Sequence, residues 1–167
     1  GDEIKKTVLE LGGSDPFIVL PDADIEAAAV NATAGRMQNN AGQSCISAKR
    51  FIVIDSVVDE FTNALISNFK KLRVGDPRAP ETTVGPLATK QGLLEVERQV
   101  NESVKKGAKV LFGGGRIGNK GYFYEPTILS NVVKGMPVYD EEVFGPVASV
   151  IVVSSVEEAI RVANDTP

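Results

Sequence analysis

The one cysteine of this chain, Cys45, stands in Gln38-Asn39-Asn40-Ala41-Gly42-Gln43-Ser44-Cys45-Ile46-Ser47-Ala48-Lys49-Arg50, among loop-forming polar and glycine residues. A free cysteine is most often a small buried hydrophobe, and that is the competing reading of Cys45. Gly42, two places before the flanking Ser44, permits the close backbone approach that a substrate carbonyl needs, which makes Cys45 a candidate nucleophile. The 167 residues contain no histidine, so Cys-His dyads, Ser-His-Asp triads and His-ligated metal sites are excluded within the chain. The base must then be a carboxylate or a lysine, and a carboxylate beside a thiol suits hydrolysis of a thioester by an activated water. Glu10 is the best-placed candidate. In Thr7-Val8-Leu9-Glu10-Leu11-Gly12-Gly13 it lies between two leucines, ahead of a glycine pair that ends any regular element. Its alternative is a side chain pointing to solvent from an edge strand.

The elements that must position these residues alternate between short apolar runs and longer amphipathic ones. Phe17-Ile18-Val19-Leu20 reads as a buried strand, and Pro21-Asp22 as the cap of a helix with Ile25, Ala28, Ala29 and Ala32 on one face. That helix closes near Gly42 and leaves Cys45 in the loop after it. A helix C-terminus does not activate a thiol as an N-terminus would. Arg50-Phe51-Ile52-Val53-Ile54 reads as the next strand. Ser56-Val57-Val58-Asp59 reads as a capping box opening a helix with Val58, Phe61, Leu65, Phe69 and Leu72 inward. After the Pro-rich loop Gly75–Pro80, a helix from Thr89 turns Leu93, Val96, Val100 and Val104 inward and closes at Gly107. Glu125–Leu129 and Val147–Val153 supply two more strands, and Ser155 caps a last helix. Strands alternating with helices specify an α/β fold, a three-layer parallel sheet with helices on both faces.

Two stretches need separate treatment. Gly113-Gly114-Gly115-Arg116-Ile117-Gly118 satisfies G-x-G-x-x-G, but the residues to Pro126 hold a further Gly and a Pro and cannot start the helix on which a pyrophosphate sits; it reads as a surface turn. Asp140-Glu141-Glu142 reads by itself as a solvated acidic loop.

Composition narrows the function classes. With 43% hydrophobic and 24% charged residues, the chain has the material of one globular domain. A net charge of −4 with scattered Lys and Arg offers no basic stripe, so no nucleic acid is expected as partner. No apolar run reaches the ~20 residues of a membrane span, so no membrane is expected either. One cysteine forms no internal disulfide, which fits a reducing cytoplasm.

Leu9-Glu10-Leu11-Gly12-Gly13, Gly42-Gln43-Ser44-Cys45 and Glu141-Glu142-Val143-Phe144-Gly145-Pro146 resemble, in order, the glutamate, cysteine and cofactor-ribose motifs of aldehyde dehydrogenases. Gly85-Pro86-Leu87, Gly121-Tyr122-Phe123-Tyr124-Glu125-Pro126-Thr127 and Ala163-Asn164-Asp165-Thr166-Pro167 extend the resemblance over essentially the whole chain. It implies a partial catalytic domain over residues 1–167, with a dinucleotide-binding domain before Glu10 and further segments after Pro167 in the parent. It implies NAD or NADP as cofactor, with Glu142 accepting hydrogen bonds from the nicotinamide-side ribose and Phe144 near the ring. It also implies that Cys45 attacks an aldehyde to give a hemithioacetal, that hydride passes to the cofactor, and that Glu10 helps water hydrolyse the thioester. The Cys45 N–H would be one oxyanion donor, with a side-chain amide from upstream of Gly1 as the other. Cys45 to Val53 is most similar to succinate-semialdehyde dehydrogenases, and a homo-oligomeric parent is expected. The alternative is a non-catalytic, partner-binding module of the same fold.

Overall fold

The computed structural model describes residues 2–3 and 5–166. Gly1, Ile4 and Pro167, the last residue of the Ala163–Pro167 motif, lie outside the described residues. The chain forms β1 (Pro16–Val19), α1 (Ile25–Thr33), β2 (Arg50–Ile54), α2 (Val58–Phe69), α3 (Lys90–Lys105), β3 (Lys109–Phe112), β4 (Thr127–Ser130), α4 (Pro137–Asp140), β5 (Val147–Val153) and α5 (Val156–Ala163). One five-stranded sheet runs β1-β2-β5-β4-β3. The parallel pairing expected from the alternation of elements holds for β1, β2, β5 and β4. Lys109–Phe112, an apolar run not singled out as a strand in the sequence, adds an antiparallel edge against β4.

Helices cover both faces. Every residue of β2 is buried, as is β5 except Val152, and apart from Arg50 and Ser149 these runs are apolar because neither face meets water. Successive side chains of a strand point to opposite faces. Phe51 meets Phe61 of α2, with ring centroids 6.3 Å apart, while the adjacent Arg50 donates to the carbonyls of Val162 and Ala163 at the end of α5. The two helices therefore lie on opposite sides of β2. Arg50 also donates to the Ser14 carbonyl at 2.7 and 2.9 Å, and the Lys49 N–H donates to the Asp15 carbonyl at 2.9 Å. The segment carrying Glu10 is thereby tied at its base to the sheet.

Four local expectations are corrected. The buried strand expected over Phe17–Leu20 is β1, Pro16–Val19, an edge strand whose burial alternates because it has a neighbour on one side only. The cap of α1 is Asp24, whose carboxylate accepts from the Ala27 N–H at 3.0 Å, and Asp22 lies in the turn before it. Ser56 caps nothing: a 3₁₀ turn over Asp55–Val57 precedes α2, whose first residue follows Val57 with no side-chain cap. On α3, Val104 is exposed, and Gln99 and Ser103 are buried with Leu93, Val96 and Val100. The inward stripe bends toward 99 and 103 because they serve the neighbouring loop: Ser103 Oγ accepts from the Val138 N–H, and Gln99 reaches residues 141 and 142.

Two caps and two turns fall where the sequence placed them. Thr89 and Ser155 cap α3 and α5, and Gly107, with φ +110°, turns the chain after α3. Residues 113–118 turn irregularly, Arg116 bridging to Tyr124, and no helix begins between them and β4. Among the described residues, no helix is long and apolar enough to cross a membrane.

Candidate active site

The cysteine loop forms where α1 loses its regular winding. After Thr33 the chain widens into a π-helical turn over Ala34–Gln38 and then a tight turn over Asn40–Gly42. Asn40, Ala41 and Gly42 all have positive φ, at +54°, +53° and +74°. For Ala41 this left-handed conformation costs about 1–2 kcal/mol, and such strain persists only where surrounding contacts impose it. Gln43 imposes part of it: its Nε2 donates to the Asn40 carbonyl at 2.9 Å, its Oε1 accepts from the Ala88 N–H at 2.8 Å, and the Asn40 side chain returns a bond to the Gln43 carbonyl. The loop then rises to Ser44 and Cys45, and the cysteine is exposed and free.

A cavity of about 520 Å³ opens at this point, lined by Glu10, Leu11, Gly12, Gln43, Ser44, Cys45, Glu142 and Phe144. The four residues singled out in the sequence, Cys45, Glu10, Glu142 and Phe144, thus come from three separate segments to one cavity. Glu10 is exposed in irregular chain. Phe144 keeps 45% of its surface open to solvent, unusual for a phenylalanine beside a core.

The acidic loop is not uniformly solvated. Glu141 turns away from the cavity and accepts from Arg98 at 2.5 Å and Gln99 at 2.9 Å on α3. Gln99 also donates to the Glu142 carbonyl at 3.1 Å. Those anchors leave the Glu142 side chain to face Gly12, where a β-carbon would run into Oε2. Among the described residues Glu142 Oε1 is buried with no hydrogen-bond donor, its nearest cation being the Lys49 ammonium at 3.5 Å.

Two buried cations beneath the cavity went unassigned in the sequence reading. Lys49, with a side-chain exposure of 0%, donates to the carbonyls of Ser44 at 3.0 Å and Cys45 at 2.7 Å. Burial, with Arg36 as neighbour, holds its ammonium below the ordinary lysine pKa, and Glu142 pulls the other way. Arg36 is fully buried and donates to Val147 O at 2.7 Å, Gly42 O at 3.1 Å, Ser47 Oγ at 3.4 Å and Val143 O at 2.6 Å. The signal for both was present: Arg36 falls four residues after Ala32 on the apolar stripe of α1, and Lys49 abuts the buried run of β2. A charge at either place must be paired or hydrogen-bonded.

The fold and site together are a parallel-rich α/β sheet that brings an exposed cysteine, an exposed glutamate and a loop carboxylate to one cavity. The pattern of the aldehyde dehydrogenase family matches residues 1–167, and the chain belongs to that family. It is 54% identical over 166 residues, 99% of this chain, to succinate-semialdehyde dehydrogenase [NADP(+)] 1 of Mycobacterium tuberculosis. It is 53% identical over its full length to succinate-semialdehyde dehydrogenase [NADP(+)] of Mycobacterium leprae. The chain spans 36% of the length of both relatives. Its fold superimposes on succinate-semialdehyde dehydrogenase from Burkholderia pseudomallei with a TM-score of 0.93 at 41% identity, covering 99% of this chain and 34% of that one. A 3,6-anhydro-L-galactose dehydrogenase in complex with NAP is similar too, with a TM-score of 0.90 at 42% identity over 94% of this chain and 34% of that one.

Proposed function

We propose that this chain is the catalytic-domain portion of an NAD(P)-dependent dehydrogenase that oxidises an aldehyde, succinate semialdehyde by likeness to its relatives, to the carboxylic acid through a thioester on Cys45. The observation that carries this reading is the shared cavity: Cys45, Glu10 and Glu142 line one space of about 520 Å³. Such a cavity has room for a small aldehyde.

Cys45 attacks the carbonyl carbon through its sulfur, and the oxygen that gains negative charge is stabilised by backbone donors. Among the described residues the Cys45 N–H donates to no carbonyl, so it is free for that task. Glu142 and Phe144 fit the ribose and ring of a nicotinamide cofactor: one carboxylate oxygen is held inward near Lys49, the other borders the cavity, and an exposed aromatic lies beside them. A carboxylate of this kind accepts from sugar hydroxyls. Held there, NAD(P)⁺ would accept the hydride that leaves the hemithioacetal carbon, the two-electron oxidation that makes it a thioester. Glu10, exposed at the mouth, takes a proton from the water that then attacks the thioester. NADP is favoured because the similar succinate-semialdehyde dehydrogenases are NADP(+) enzymes; a reducing cytoplasm suits a catalytic thiol, and a homo-oligomeric parent belongs to the same proposal. A non-catalytic binding module would need neither an exposed thiol nor a carboxylate on the same cavity.

Acid quench of the intact enzyme during turnover of succinate semialdehyde, followed by mass spectrometry of the Cys45 peptide, tests the reading. A succinyl adduct on Cys45 is expected. Turnover with no adduct on that peptide, even when Glu10→Gln slows hydrolysis, would overturn it.

A further inference from the structure

We infer that Lys49 is a positioning residue that couples the Glu142 carboxylate to the Cys45 peptide, so that the state of one is felt at the other; this rests on the reading of Cys45 and Glu142 given above. The 42–45 loop and the 142–143 loop are stitched together twice. The deeper stitch is Arg36, which donates to Gly42 O and Val143 O and meets only backbone on both loops. The shallower stitch is Lys49, which donates to the carbonyls of Ser44 and Cys45 and stands 3.5 Å from Glu142 Oε1. Arg36 would hold the two loops together even without Lys49. Lys49 differs in reaching a side chain that borders the cavity.

An ammonium buried to 0% exposure carries a large desolvation cost, and a methionine of similar length would fill the space without it. The charge is directed at three oxygens: two flank the nucleophile, and the third belongs to the carboxylate facing Gly12. Among the described residues Glu142 Oε1 has no hydrogen-bond donor and Lys49 as its ion-pair partner, so a ligand that draws on Oε2 redistributes charge toward or away from Lys49. The Cys45 carbonyl, 2.7 Å from Nζ, lies on the same ammonium.

The coupling has a signature that simple distortion lacks. Removing the ammonium withdraws positive charge from the thiol's loop, whereas neutralising Glu142 leaves that ammonium less compensated. The two changes must push the reactivity of Cys45 in opposite directions.

The experiment measures iodoacetamide alkylation of Cys45, without aldehyde or cofactor, in the intact enzyme and its variants, with NADP⁺ affinity by titration in parallel. In Lys49→Met, alkylation should slow about tenfold and the NADP⁺ Kd should rise about tenfold, while Lys49→Arg recovers both to within about threefold. In Glu142→Gln, alkylation should quicken by about threefold or more. Should Lys49→Met fail to fold, Glu142→Gln decides alone: alkylation within about twofold of the parent, or slower, overturns the coupling. So does Lys49→Met with either quantity unchanged, or an arginine variant no better than the methionine one. An enzyme without aldehyde oxidation would instead overturn the functional reading, and the alkylation results would still decide the coupling.

Discussion

The Cα of Gly42 faces the Gly145 carbonyl so closely that a β-carbon on Gly42 would overlap it, and Gly42 itself has φ +74°. The cysteine loop and the acidic loop therefore meet backbone to backbone, and that approach brings Cys45 and Glu142 to one cavity. Gly42→Ala meets both a strained φ and a blocked contact with backbone that cannot swing aside. Denaturant unfolding should show a loss of about 2–4 kcal/mol, and a loss below about 0.5 kcal/mol would mean the loops have slack here.

Cys45→Ala in the intact enzyme should abolish aldehyde oxidation while NADP⁺ binding persists, since Ser44 is the only hydroxyl next to the thiol. Steady-state assay and titration check both halves. Turnover within about tenfold of the parent's would remove Cys45 from the nucleophile role.

Glu10→Gln should slow hydrolysis of the thioester more than its formation. Rapid quench should then show a burst of reduced cofactor followed by a slow phase. Equal slowing of both phases would place Glu10 earlier in the reaction or outside it.

The 167-residue chain by itself should neither oxidise aldehydes nor bind NAD(P) measurably. It spans 36% of its relatives' length, and the Gly-rich turn at 113–118 leads into no helix that could hold a pyrophosphate. Titration calorimetry checks this, and a micromolar Kd for either cofactor would contradict it.

Tyr139 gives the fold an alkaline limit. Burial, then its hydrogen bond to Asp165, pushes the phenol up from 10.0 to about 12. The folded chain keeps this proton where the unfolded chain has lost it, so the contribution is full below pH 10 and is lost as pH rises toward 12. Thermal unfolding across this range should show stability falling with pH, less steeply in Tyr139→Phe. An identical slope in the two proteins would assign the limit to other groups.

Much of this protein was decided locally and was legible in the chain. The β2 and β5 runs are apolar because both faces are covered, and the caps at Thr89 and Ser155 are short-range bonds that residue type alone announces. The cysteine, glutamate and acidic-loop motifs were likewise visible as residue types in order. Tertiary structure decided what depends on distant partners. Ser56 and Asp24 are both able to cap, and only Asp24 finds its donor in place. Glu141 and Glu142 are identical neighbours, yet Arg98 and Gln99 take one away while Gly12 and Lys49 hold the other at the cavity. No local rule distinguishes such a pair, because the energy of a carboxylate is set by the donors and charges around it, and these arrive only when strands far apart in sequence have paired.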